Sequence, residues 1–220
     1  MKEVDRGPQA RSVPRGGDKV PTRRGEAKGA LLAAASAEFN EKGFDETNSN
    51  EIARRAGFAP QTFYRHFDDK TAIFIAVYEA WKDKDLRTIE TVGSVREAVG
   101  ALVRSHTEFK LFRRSLRRLA IENPAVRQAR TRARYEQLMV ITRRFPALAC
   151  QDLASRLAIL MTVERLCDAL AEGEFADLDP TSDTNLQKRI EAEIAAIFLA
   201  LMGSVGARAA LDPSATDRAC

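Results

Sequence analysis

The sequence holds few of the residues that build covalent or metal frameworks. Its 220 residues include three cysteines, Cys150, Cys167 and Cys220, widely spaced and without a CxxC pair. That excludes a disulfide scaffold and a zinc site as the organising device, and makes a reducing cytoplasm the expected location. Only two histidines occur, and no HExxH, GxSxG or P-loop pattern appears. The familiar hydrolytic and nucleotide-handling chemistries therefore have no seed, and no metal or cofactor is expected. The longest apolar run, Ile194 to Met202, is about half of the roughly 20 residues needed to cross a bilayer. The opening residues show no apolar core of the signal-peptide kind, so export is not expected and no membrane partner is implied. Strand-like alternation is missing too, and no internal repeat is visible.

What is present is an ordinary apolar content of 45% and a small net charge of +4, unevenly laid out. Residues 1–30 carry eight Lys/Arg against four Asp/Glu, and residues 110–144 carry eleven against two. Residues 151–193 reverse the balance, with ten acids against four bases. A chain segmented in this way presents surfaces with different tasks.

Helical signals run through the remainder. Residues 1–23, rich in Gly, Pro and Arg, read as a disordered basic arm. Leu31/Leu32, Ala35 and Phe39 lie at helical spacing, and Gly43 is a natural stop. Asn48-Ser-Asn-Glu51 reads as a capping box opening a short helix through Ile52, Ala53 and Ala56. Gly57 breaks that helix, and Pro60 suits the first turn of the next, expected over Pro60 to His66. Asp69 can cap a fourth helix carrying Ile73, Val77 and Trp81. Ser94-Val-Arg-Glu97 is a second capping box, Asn123-Pro124 opens another helix, and Pro146 ends it. Leu153, Leu157, Leu160, Val163, Cys167 and Leu170 form one apolar stripe, and Leu186, Ile190, Ile194, Ile197/Phe198 and Leu201 form another. The expected fold is all-α, with about nine helices: a three-helix head and a helical body.

The stretch Asn48 to Lys70, NSNEIARRAGFAPQTFYRHFDDK, is the informative one. Two short helices around a glycine turn make a helix-turn-helix, with the motif over about 47–66, and the second helix can enter a major groove. Ile52, Ala53, Phe58, Phe63 and Phe67 can hold the pair together. Gln61, Thr62, Tyr64, Arg65 and His66 are hydrogen-bonding groups suited to phosphates and base edges.

From about Arg24 to Lys84 the chain resembles the tetracycline-repressor (TetR) family of bacterial regulators. The resemblance rests on EFNEKGFDET, then IARRAGF, then TFYRHFDDKTAIF, an ordered IA–AG–TxYxHF–xxK string. Thr47-Asn48 stands where members usually have two threonines, Ser49 where an apolar residue is common, and Ala59 where a Ser or Thr usually caps the recognition helix. The resemblance implies that Asn48, Tyr64, His66 and Lys70 contact phosphates, and that Gln61, Thr62 and Arg65 face bases. Arg23 and Arg24 either reach a phosphate or the minor groove, or are simply solvated. It further implies a DNA-binding domain over 24–84, a ligand-binding and dimerisation body over 85–205 and a flexible tail over 206–220. The partners would be double-stranded operator DNA, a second copy of the chain and an unidentified small-molecule effector, with repression as the default.

Within the body, His106, Phe109, Phe112, Leu116, Tyr135, Met139 and Met161 are the expected lining of an effector pocket, against the plainer reading that they are core. Leu153, Leu157, Leu160, Ile190, Ile194, Ile197, Phe198 and Leu201 are the expected dimer seam. The arginines from Arg113 to Arg134 admit three readings: a site for an anionic effector, a second DNA surface, or a solvated face paired with the acids of 151–193. The competing functions are a protein–protein adaptor that keeps an unused helix-turn-helix, and an all-α enzyme.

Overall fold

A computed structural model describes residues 23–178 and 184–203; the expected arm and tail lie outside them. Among the described residues there are ten α-helices, one 3-10 turn and no strand. The helices are α1 (Arg23–Glu46), α2 (Ser49–Arg55), α3 (Pro60–Tyr64), α4 (Lys70–Thr91), α5 (Val95–Glu108), α6 (Lys110–Glu122), α7 (Pro124–Arg144), α8 (Leu153–Glu172), α9 (Glu174–Leu178) and α10 (Thr184–Gly203). The all-α expectation holds.

Local chemistry sets most of the boundaries. Asn48 accepts from the Glu51 N–H at 3.0 Å, Asp69 from Ala72 at 2.7 Å, Ser94 from Glu97 at 3.2 Å and Asp152 from Ser155 at 2.7 Å. Asn123 caps α7 by accepting from both Ala125 and Val126, with Pro124 in its first turn. Each such oxygen satisfies an N–H that a helix start leaves without a partner. Gly43 does not end α1 in the left-handed cap expected of it. It bends the helix at φ 78, ψ −179, a conformation essentially reserved for glycine, and one more turn follows. The division between α5 and α6 falls at Phe109, with neither glycine nor proline to announce it.

Two apolar cores result. The first draws Leu31, Phe39, Ile52, Phe63 and Phe74 of the first four helices together with Phe112, Leu116 and Leu119 of α6 and Val126 of α7. The Phe74 and Phe112 rings stack at 4.5 Å, and Phe39 meets Phe74 edge-on at 5.1 Å. The second core joins α5, α8 and α10 through Val99, Val103, Ile159, Val163, Cys167, Ile194 and Phe198. α4 runs unbroken past residue 84, so its buried side serves both regions.

This arrangement corrects part of the expected dimer seam. Ile194 and Phe198 are 1% and 7% exposed and belong to the interior of their own protomer. Leu160, Ile190 and Leu201 are half-buried. Only Leu153, Leu157 and Ile197 of that set face outward. The reason is that α8 and α10 each bury one side against α5, and a stripe read from spacing does not say which side.

Because α1, α4 and α6 meet through three rings, the head and the body should unfold together. Phe112→Ala should cost about 3–5 kcal/mol and keep a single transition in urea, followed by Trp81 fluorescence and by circular dichroism. Two separated transitions would contradict a shared core.

Candidate functional site

The helix-turn-helix is held from behind. Phe63 is fully buried and Phe67 nearly so, both packed into the first core, so the opposite side of α3 must face outward. Gln61, Tyr64 and Arg65 are exposed, with Tyr64 at 58%, while Thr62 and His66 are half-buried. Tyr64 is braced by the edge of the Phe63 ring at 5.3 Å. The turn depends on Gly57 at φ 81, from which the Phe58 N–H reaches back to the Ala53 carbonyl at 2.9 Å. Ala59 gives α3 no side-chain cap, as its missing hydroxyl requires, and Pro60 fills the first turn.

The angle of α2 against α1 is set by charge. Arg55 grips Glu41 with two bonds of 2.6 Å and Glu38 at 3.0 Å, and Glu38 is buried and also pairs with Lys42 at 2.8 Å. The Lys42 bond, and then Arg55, hold the Glu38 carboxyl below its ordinary range. Arg55 is thereby committed to the fold. Its neighbour Arg54 is exposed, with no acidic partner among the described residues, and adds a cation beside the turn that the sequence reading did not single out.

Lys70 is a correction. Its ammonium donates to the carbonyls of Phe44 at 2.7 Å and Thr47 at 2.8 Å and lies 4.2 Å from the centre of the Phe44 ring. Two of its three protons therefore close the end of α1, and burial lowers its pKa. Asn48 likewise serves first as a cap, leaving its amide N–H groups unengaged among the described residues. Side chains of Arg23 and Arg24 lie outside the described residues.

The body has an internal cavity of about 60 Å³ bordered by α4 to α8 and α10. Of the expected lining, His106 and Leu116 reach it. Phe112 is spent in the first core and Phe109 packs against that core. Tyr135 and Met139 are 64% and 52% exposed and face away from the cavity, because the buried side of α7 carries Val126, Ala129, Ala133 and Leu138; Met161, 43% exposed, lies on the outward side of α8, whose buried side carries Ile159, Val163 and Cys167. Residues the sequence reading did not connect with the cavity include Asp85, Arg156 and Trp81, which also bears the Arg113 guanidinium 5.0 Å from its ring.

Five arginines of the tract are answered by the acids of α8, while Arg118 pairs with Asp45 and Glu122, Arg132 with Glu79, and Arg127 donates to backbone carbonyls. Arg113 binds Asp168 at 2.6 Å and Glu164 at 3.3 Å, while Arg117 reaches Asp168 at 2.8 Å and Glu172 at 3.0 Å. Arg130 and Arg134 reach Glu164 at 2.8 Å and 2.9 Å, and Arg114 pairs with Glu172. His106 Nδ1 lies 3.0 Å from Asp168 Oδ1, yet burial depresses the pKa of the imidazole. Cys167 is buried and its thiol is pushed up to about 12, so it is no reactive thiolate. Among the described residues no helix is long and apolar enough to cross a membrane, and no group of three metal-ligating side chains is assembled.

Residues 31–77 match the pattern of bacterial regulatory proteins of the tetR family. The HTH-type transcriptional activator FasR of Mycolicibacterium smegmatis is 30% identical over 142 residues, which cover 63% of this chain and 60% of that protein. The match therefore spans less than two thirds of that relative's length. The fold is shared with a TetR-family regulator from Rhodococcus sp. at TM-score 0.64 and 18% identity, covering 81% of this chain and all of the other. It is also shared with Salmonella enterica GusR at TM-score 0.63 and 17% identity, covering 83% and 98%.

Lys70→Ala should cost about 1–2 kcal/mol in the DNA-free protein, through two carbonyls left without their donor, while Gln61→Ala should leave stability unchanged. Paired urea titrations decide this; equal stability of the two variants would return Lys70 to the surface.

Proposed function

We propose, for a chain that belongs to the tetR family of bacterial regulatory proteins, that it acts in the cytoplasm as a sequence-specific DNA-binding transcriptional regulator. The observation that carries this reading is α3 itself: Phe63 and Phe67 fix one side in the core, and Gln61, Tyr64 and Arg65 stand out on the other. A short rigid helix with such an edge suits a major groove, phosphates taking the positioning contacts and base edges the reading ones. Thr62 and His66 belong to its flank, and Arg54 supplies a further cation for the backbone. Repression is the sign we assign, relieved when a small molecule occupies the body cavity. Ligand then favours a conformation whose recognition helices are wrongly spaced for the operator. α4 joins cavity and head, since Trp81 and Asp85 border the cavity while Lys70 anchors the end of α1.

The chain acts as a two-fold dimer in this reading, because one short head grasps only half a site. Support comes from the outward faces of α8 and α10. Leu153, Leu157 and Met161 follow each other at four-residue spacing, 54%, 39% and 43% exposed, and Ile197 and Leu199 are 38% and 52% exposed. An apolar strip of this kind on a helical surface marks a contact face.

Binding to the DNA upstream of its own gene, measured over single-base variants and several salt concentrations, tests the groove placement. Gln61→Ala should relax preference at one base pair per half-site, worth about 1–3 kcal/mol, and leave the salt slope alone. Tyr64→Phe should weaken all sequences alike, and Arg54→Ala should make the slope shallower by roughly one unit. Uniform weakening by Gln61→Ala would mean the helix sits rotated in the groove.

Sedimentation separates the two apolar sides. Leu157→Glu should give a folded monomer with weak operator binding, whereas Ile194→Glu should lower stability by about 4 kcal/mol or more through an uncompensated buried charge. A Leu157→Glu protein that remains dimeric would move the seam elsewhere.

A further inference from the structure

The cavity wall carries a cation that no acidic side chain among the described residues neutralises. Arg113 shares Asp168 and Glu164, and Arg130 and Arg134 share Glu164. Arg156, on the first turns of α8, lines the cavity, has no acidic partner among the described residues, and keeps its Nε buried without a hydrogen-bond partner. A guanidinium N–H removed from water and left without an acceptor is a site waiting for one. Three other ionisable groups on that wall face partners inside the protein, His106 Nδ1 lying 3.0 Å from Asp168. Glu164 is held by its three arginines, and Asp85 accepts from Ser105 and is pushed up to about 6 by burial. The cations that act on Asp85 are Arg113 and Lys84, so it does not answer Arg156 either.

The rest of the wall is apolar and leads onward. Ile89 of α4, Leu102 of α5, Ile141 of α7, Val163 of α8 and Phe198 of α10 border this cavity and also a second one of about 40 Å³, which Val95, Val99 and Phe145 help to close. The second lining exposes no polar surface. The five shared side chains therefore form a partition between a space walled by a cation without an acidic partner among the described residues and a space with an apolar lining.

We propose that the cavity receives a monocarboxylate with an apolar body, its two oxygens on the Arg156 guanidinium and its chain passing the partition into the second cavity. The proposal rests on the effector reading above and assigns the chemical class of the effector. One uncompensated charge matches one anionic group, and the planar fork of an arginine matches the planar carboxylate. A phosphate dianion would bring a second negative charge towards Glu164, and the other arginine on that wall, Arg113, is already shared by Asp168 and Glu164. The first cavity has room for only a few waters, so a longer chain must part Leu102, Ile141 and Phe198. Those side chains sit on three different helices, and the same cavity touches α4 at Trp81 and α6 at Arg113 and Leu116. Entry of the chain thereby strains the elements that carry the head.

The test uses the full chain, with Trp81, the sole tryptophan and a lining residue, as reporter. Straight-chain carboxylates from butanoate to decanoate, and the primary alcohols of equal length, are titrated against its fluorescence. Saturable binding is expected, with each acid about tenfold or more tighter than its alcohol. Arg156→Gln should erase that preference and leave alcohol affinity in place, and Arg156→Lys should retain part of it. Leu102→Phe, which narrows the passage, should discriminate against the longer acids and spare butanoate. Acids that bind no better than alcohols, a preference that survives Arg156→Gln, or chain-length dependence untouched by Leu102→Phe would each overturn the assignment. These titrations contain no DNA, so their failure leaves the DNA-binding reading standing. A protein that binds the acids but ignores its upstream DNA overturns that reading alone.

Discussion

Phe39, Phe74 and Phe112 come from three helices far apart in the chain and meet as one set of rings, all fully buried. Aromatic contacts of this kind combine large buried area with a preferred geometry. Once α1, α4 and α6 are locked together, the short helices α2 and α3 have a rigid floor, and seven and five residues are too few to hold a helix alone. The exposed edge of α3 is thus a consequence of rings that never touch a ligand. The seam continues outward in polar form, with the Phe44 N–H donating to Ser115 at 3.1 Å and Arg118 reaching Asp45 at 2.6 Å.

Charge does the second half of the positioning. Glu164, Asp168 and Glu172 recur every four residues on α8 and meet arginines from α6 and α7 that would otherwise repel one another. The plainest of the three readings of the arginine tract, a face paired with the acids of 151–193, is the one the geometry supports. Buried ion pairs add little net stability, since desolvation offsets their attraction, but they disfavour alternative registers in which a charge lies unpaired. Arg156, on the same helix as these acids, has no acidic partner among the described residues.

The helix starts were legible because they are local. An Asn, Ser or Asp reaching the N–H two or three residues on needs no tertiary partner, and Gly57 with Pro60 marks the turn by backbone geometry alone. The bend at Gly43 was read as a stop because a positive φ is common to both outcomes; only packing against Phe44 and Ser115 decides that one more turn follows. The break at Phe109 had no local signature at all.

By itself, then, the sequence determined the helical class, the capped helix-turn-helix and the identity of the polar residues on α3, all properties of neighbours a few positions apart. Tertiary structure alone decided which side of each apolar stripe is interior. It buried Ile194 and Phe198 while leaving Leu157 and Ile197 outside, and turned Tyr135 and Met139 away from the cavity. It also decided which charges cancel, committing Lys70 to the end of α1 and leaving Arg156 without an acidic partner among the described residues. Those outcomes rest on contacts between residues tens of positions apart, such as Arg113 with Asp168, and spacing along one helix carries no information about what lies across from it.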